Sequence, residues 1–227
     1  MRNNNRYITT PRFKERPVRG AINDFVTIIF FSENHGYRMK SYGPVSMIKM
    51  GSKTILETPK TVNYIKDKFP DINIRVVENQ VHFNSNCCES ARLCLNNTSN
   101  NKVLLCSGSN LLEPHHLKDL DLDCSFVLTQ EKNEDSGFEI NVISDNGVLE
   151  QLSIGLKNNF WTEVLYLADD KIIKALYNVL SDPEYKNKFI FEALNDIAPK
   201  YDIKDVKLDS PIKKINNIKI FKRIQNK

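Results

Sequence analysis

No apolar run in this sequence approaches the ~20 residues that a membrane-spanning helix needs, and the polar, Arg-rich start lacks the apolar stretch of a secretory signal. The five cysteines, Cys87, Cys88, Cys94, Cys106 and Cys124, are odd in number and contain no C-x-x-C pair, so neither a zinc ribbon nor a disulfide framework is implied. No internal repeat is visible at any period. His115 and His116 are adjacent after Pro114 but lack the H-E-x-x-H spacing of a metalloprotease helix. Asp119, Asp121 and Asp123 lack the glycine and distal glutamate of an EF-hand loop, which leaves a solvated acidic turn. The expectation is a cytoplasmic protein with reduced, mostly buried thiols and no membrane partner.

What is present is ordinary for a globular chain: 41% hydrophobic and 26% charged residues in 227. The net charge of +4 is spread against 28 acidic residues, so the local distribution matters more than the total. Arg2, Arg6, Arg12, Lys14, Arg16 and Arg19 crowd the start, and Lys213 to Lys227 is a second basic stretch. Three segments are expected: an extended basic arm over 1–22, an α/β domain over 23–209, and a basic C-terminal tail over 210–227. The arm reads as a disordered tail, a nucleic-acid contact or a segment ordered by a partner protein, and docking on other subunits is the expectation.

Within the domain, Phe25 to Phe31 is short, continuous and β-branched, as in a strand buried in a parallel sheet. Apolar spacing over 55–69 predicts a helix, Ile72 to Val77 a strand, Cys87 to Leu95 a short helix, and Val103 to Cys106 and Phe126 to Thr129 two further strands. Such alternation predicts a mostly parallel central sheet flanked by helices. Gly137 to Ile143 and Val148 to Leu152, joined through Asp145-Asn146-Gly147, predict an antiparallel hairpin addition. Trp161 to Leu167 reads as a strand containing a core or interface tryptophan. Asp169 to Leu180 reads as a helix capped by its aspartate, Tyr185 to Ile197 as one more helix, and Val206 to Leu208 as a last strand.

The stretch I-I-F-F-S-E-N-H-G-Y-R-M-K-S-Y-G-P-V-S-M-I-K-M-G-S-K-T-I-L-E resembles, without a gap, the opening signature of sugar-phosphate and choline-phosphate nucleotidyltransferases, L-A-A-G-x-G-x-R-M, then P-K-x-L and G-K-x-L-L-E. In this register Gly36 and Arg38 are matched, Asn34 stands on a glycine, and Val45 on a lysine. The resemblance implies a nucleotide-diphospho-sugar transferase fold. Its loop brings glycine amides close to a triphosphate, and its cations neutralise charge developing at the α-phosphate. V-L-L-C-S-G-S-N-L-L resembles the strand ending in Gly-Asp, with Ser109 on the aspartate that holds magnesium in the family. V-K-L-D-S-P-I resembles the segment of the second metal carboxylate, matched by Asp209. F-I-F-E-A-L-N, ending at Asn195, resembles the family's F-E-x-x-N stretch.

With a lysine and an aspartate both replaced, the leading expectation is a non-catalytic, degenerate member that requires no cofactor. It would serve as a structural or assembly subunit, and the Asn- and Lys-rich composition suits a virus- or phage-encoded virion component. The alternative is an active sugar- or alcohol-phosphate nucleotidyltransferase using a nucleoside triphosphate and Mg²⁺, with Gly36, Arg38 and Asp209 at its site. A nucleic-acid-binding protein is the third expectation.

Overall fold

The structure is a computed structural model that describes residues 26–31, 49–50, 53–54, 77, 79–81, 84–98, 101–131, 138–156 and 159–215. The helix expected over 55–69, nearly all of the strand expected over 72–77, and the N-terminal arm lie outside them.

The first strands along the chain are β1 (Thr27–Phe31) and a short antiparallel pair, β2 (Lys49–Met50) and β3 (Lys53–Thr54). Helix α1 (Cys87–Asn96) follows, then β4 (Val103–Ser107), β5 (Asn110–Leu111) and β6 (Ser125–Gln130). Strands β7 (Ile140–Asp145), β8 (Val148–Ile154) and β9 (Phe160–Leu167) precede α2 (Asp170–Leu180) and α3 (Ile190–Ile197). The described chain ends with β10 (Ile203–Lys207) and β11 (Lys213–Lys214). Seven strands form one sheet in the order β1-β4-β9-β6-β10-β8-β7.

The pairs β1–β4 and β10–β6 are parallel, as the alternation of strands and helices predicts. β9 is inserted antiparallel between β4 and β6, so the sheet is mixed. A sequence pattern of period two fixes which face a residue takes, not the direction of the neighbouring strand, and this insertion is therefore invisible in it.

The central strands are buried on both faces, and alternate residues divide between two apolar layers. Val103, Leu105, Val127, Leu165 and Leu167 face the helical layer, where they meet Ala91 and Leu95 of α1, Leu176 and Leu180 of α2 and Leu194 of α3. Leu104, Cys106, Phe126, Leu128, Val164 and Tyr166 face the other side together with Phe138, Phe160 and Ile212.

Local chemistry explains the element boundaries. The Asn86 side chain accepts from Cys87 N and caps α1, and the Asp169 side chain accepts from Lys171 N at the start of α2. Asn146 (φ 48°) and Gly147 (φ 77°) form the two-residue β7–β8 turn, whose left-handed conformations those residue types tolerate. The helix expected over Tyr185 to Ile197 is divided into a 3₁₀ turn at Pro183–Asn187 and α3, because Lys188 (ψ 164°) and Phe189 (ψ 154°) are extended between them. The apolar spacing continues through the break, which conceals it. Trp161 is core, 2% exposed, and its indole donates to Val164 O at 3.0 Å.

Candidate functional site

The ends of β4 and β6 and the segment after β10 come together through backbone bonds. Gly108 N donates to Phe31 O at 2.7 Å and continues the β1–β4 pairing one residue into the turn. Leu208 N donates to Thr129 O at 2.8 Å as β10 leaves β6. The chain then returns as a strap: Ile212 N donates to the Gln130 side-chain oxygen at 2.9 Å, β11 pairs antiparallel with β5, and Ile215 N donates to Ser109 O at 2.9 Å. The basic tail expected from 210 onward thus begins with a segment that packs on the sheet, because Ile212 and Ile215 are fully buried.

Ser109 occupies the turn between β4 and β5. It is 3% exposed, and its Oγ lies 2.7 Å from Ser107 Oγ. Asp209 begins the strap and is exposed. Ser109 meets the far end of the strap through its carbonyl, and Asp209 lies at the start of the strap. Gly36, Arg38, Asn34 and Val45, and the arm residues Arg2, Arg6, Arg12, Lys14, Arg16 and Arg19, lie outside the described residues.

Sequence reasoning missed the polar cluster under the strap. The Lys214 ammonium pairs with the Glu163 carboxylate, and their side chains are 11% and 19% exposed. Glu163 adopts φ 57°, a left-handed conformation uncommon for a non-glycine residue, in the part of β9 where the β6–β9 register shifts. Asn110 donates from Nδ2 to Thr162 O at 2.7 Å, and among the described residues its Oδ1 and the Gln130 Nε2 find no partner. Burial pushes the Cys106 thiol up to about 12, with the Asn110 amide drawing it partly back and the Glu163 carboxylate adding to the rise. Cys106 is accordingly an inert core thiol. The one signal in the sequence for Lys214 is the I-K-K-I pattern, in which two lysines lie between two isoleucines.

Magnesium prefers hard, anionic oxygen ligands. The residues here do not make a two-carboxylate site for it: Ser109 offers a buried neutral hydroxyl already hydrogen-bonded to Ser107, and only Asp209 of the two expected positions bears a carboxylate. Among the described residues no three His, Cys, Asp or Glu side chains are grouped to hold a metal ion. His115 and His116 are neighbours in the 3₁₀ turn Pro114–His116, with ring centroids 4.0 Å apart and ring planes inclined by 42°. No helix among the described residues is long and apolar enough to cross a membrane.

No protein-family model matches the chain, and no curated protein matches it in sequence. Solved structures do match. A CTP:phosphocholine cytidylyltransferase from Streptococcus pneumoniae superimposes with TM-score 0.73 at 14% identity, over 88% of this chain and 98% of that one. An inositol-1-phosphate CTP transferase from T. maritima gives 0.66 at 14% identity, over 88% and 94%. A putative glucose-1-phosphate thymidylyltransferase from Bacillus anthracis gives 0.70 at 10% identity, over 89% and 94%. Identities this low establish architecture alone, and the architecture they establish is the nucleotide-diphospho-sugar transferase-like fold of the nucleotidyltransferases.

Proposed function

We propose that the chain transfers a nucleotidyl group from a nucleoside triphosphate to a sugar- or alcohol-phosphate. The observation that carries this reading is the extent of the structural match: neighbours named for three different phosphorylated acceptors are each spanned over at least 94% of their length. The matched loop residues Gly36 and Arg38 support it, since an arginine beside a close-approaching backbone is suited to a triphosphate. Asp209 is the one carboxylate of the expected pair, and the Ser109 hydroxyl brings no charge to its position. Calorimetric titration with each common triphosphate in Mg²⁺ tests the reading. Micromolar binding weakened by Arg38→Ala is expected, and the absence of binding to any triphosphate would count against it.

A second reading is favoured by one specific observation, the Ser107–Ser109 hydroxyl pair at a position where the resemblance implies a metal carboxylate. On this reading the chain is a non-catalytic subunit of a larger assembly, virion or otherwise, gripped through its basic arm and tail. It predicts a stoichiometric complex in native mass spectrometry that is lost when residues 1–19 are deleted. Binding of nucleic acid that is lost with the arm and falls steeply with salt would instead support the third expectation.

A further inference from the structure

A bulge in β9 is held from three sides. Between the pairs Val127↔Leu165 and Thr129↔Trp161, one residue of β6, Leu128, faces three of β9, Thr162, Glu163 and Val164. Asn110 Nδ2 donates to Thr162 O at 2.7 Å, Thr162 Oγ1 donates to Leu128 O at 2.8 Å, and the Trp161 indole donates to Val164 O at 3.0 Å. These bonds fix Glu163 in its left-handed conformation (φ 57°), which is unfavourable for a residue with a Cβ and persists only where the surroundings impose it. Bulges of this kind re-aim a side chain. Cys106↔Val164 is the last β4–β9 pair, so the bulge sets Glu163 across from the end of β4, which leads into Ser109.

The re-aimed carboxylate holds the Lys214 ammonium, and the Lys214 backbone pairs with Asn110, the residue that follows Ser109. A shielded ion pair is often replaceable by apolar side chains without loss of stability. This one stands on strained backbone, at the strand ends where the resemblance implies a metal ion. An ammonium has three donors. Glu163 is the one partner of Lys214 among the described residues, which leaves two donors for a ligand, and Asn110 Oδ1 in the same cluster also lacks a partner there.

We propose that Lys214, positioned by Glu163, is the fixed cation that donates to a triphosphate oxygen at these strand ends, in place of a metal ion. The inference rests on the nucleotidyl-transfer reading and deepens it: Ser109 brings no charge to attract magnesium, and the ammonium supplies a cation that needs no second carboxylate. Shielding from bulk water strengthens the charge-assisted N–H···O⁻ bond. Triphosphate binding therefore does not require Mg²⁺.

Calorimetry on the full chain tests this, with each common nucleoside triphosphate titrated in excess Mg²⁺ and again in EDTA. The dissociation constants in the two buffers should agree within about threefold. Lys214→Met combined with Glu163→Gly removes both charges together, and should weaken binding in EDTA by at least about tenfold while keeping a cooperative melt. Should that double variant fail to fold, the ¹⁵N resonance of Lys214 Nζ in the wild type supplies the second measurement, with a shift expected when triphosphate is added in EDTA. Binding that appears only with Mg²⁺, undiminished binding by the folded double variant, or an unmoved Lys214 resonance would overturn the inference and leave the transfer reading standing. No binding in either buffer would overturn the transfer reading and this inference with it.

Discussion

Asn195 makes both of its side-chain hydrogen bonds to one residue: Leu152 N donates to Oδ1 at 2.7 Å, and Nδ2 donates to Leu152 O at 2.8 Å. β10 pairs with β8 only at Lys204↔Val148, so farther along β8 the side-chain amide of α3 takes the place of a strand. Asn195→Ala is expected to destabilise the protein by about 2 kcal/mol, since it leaves a donor and an acceptor on a part-buried backbone. Urea melts check this, with a lower midpoint at unchanged slope as the expected result. Asn195→Asp should also destabilise, because a carboxylate oxygen would then face the Leu152 carbonyl.

The Lys214–Glu163 pair is largely shielded from solvent and is built on a left-handed backbone at Glu163. Removing one partner leaves an uncompensated charge, so Lys214→Met alone should cost on the order of 3 kcal/mol. Lys214→Met together with Glu163→Gly removes both charges and places glycine where φ is positive, and should recover most of that loss. A double-mutant cycle in thermal melts measures the coupling. Additive losses would show that the two side chains do not act as a pair.

Glu89 accepts two hydrogen bonds from Arg92, at 2.7 and 2.8 Å, and these hold its carboxyl below the usual range. A depressed carboxylate contributes stability that is present above its unfolded value, near 4.5, and is lost as pH falls through the folded one. Arg92→Leu should therefore lower stability at pH 7 and flatten the acid limb of the stability curve below pH 4.5. Denaturant melts across pH 3 to 7 check both effects. An unchanged acid limb would show the pair to be energetically idle.

Much of the fold was legible because its signals are local. Asp169 capping α2, Asn146-Gly147 turning β7 into β8, and the unbroken apolar run of β4 each announce an element by short-range chemistry. The antiparallel entry of β9 and the docking of β11 on β5 were not legible, since they depend on pairings between residues far apart in the chain. The site divides in the same way. Ser109 and Asp209 are visible through motifs of ten and seven consecutive residues, whereas Lys214, Glu163, Asn110 and Gln130 become a cluster only when the strap closes over the strand ends.

The most direct measurement is product formation. The purified chain, Mg²⁺, each common nucleoside triphosphate and a panel containing glucose 1-phosphate, inositol 1-phosphate and phosphocholine are incubated together and resolved by mass spectrometry. The account predicts a nucleotidyl-acceptor diphosphate and free pyrophosphate for at least one pair, reduced by roughly a hundredfold in Arg38→Ala and lowered in Asp209→Ala. A folded chain that forms no such product with any pair, and binds no triphosphate, would contradict it.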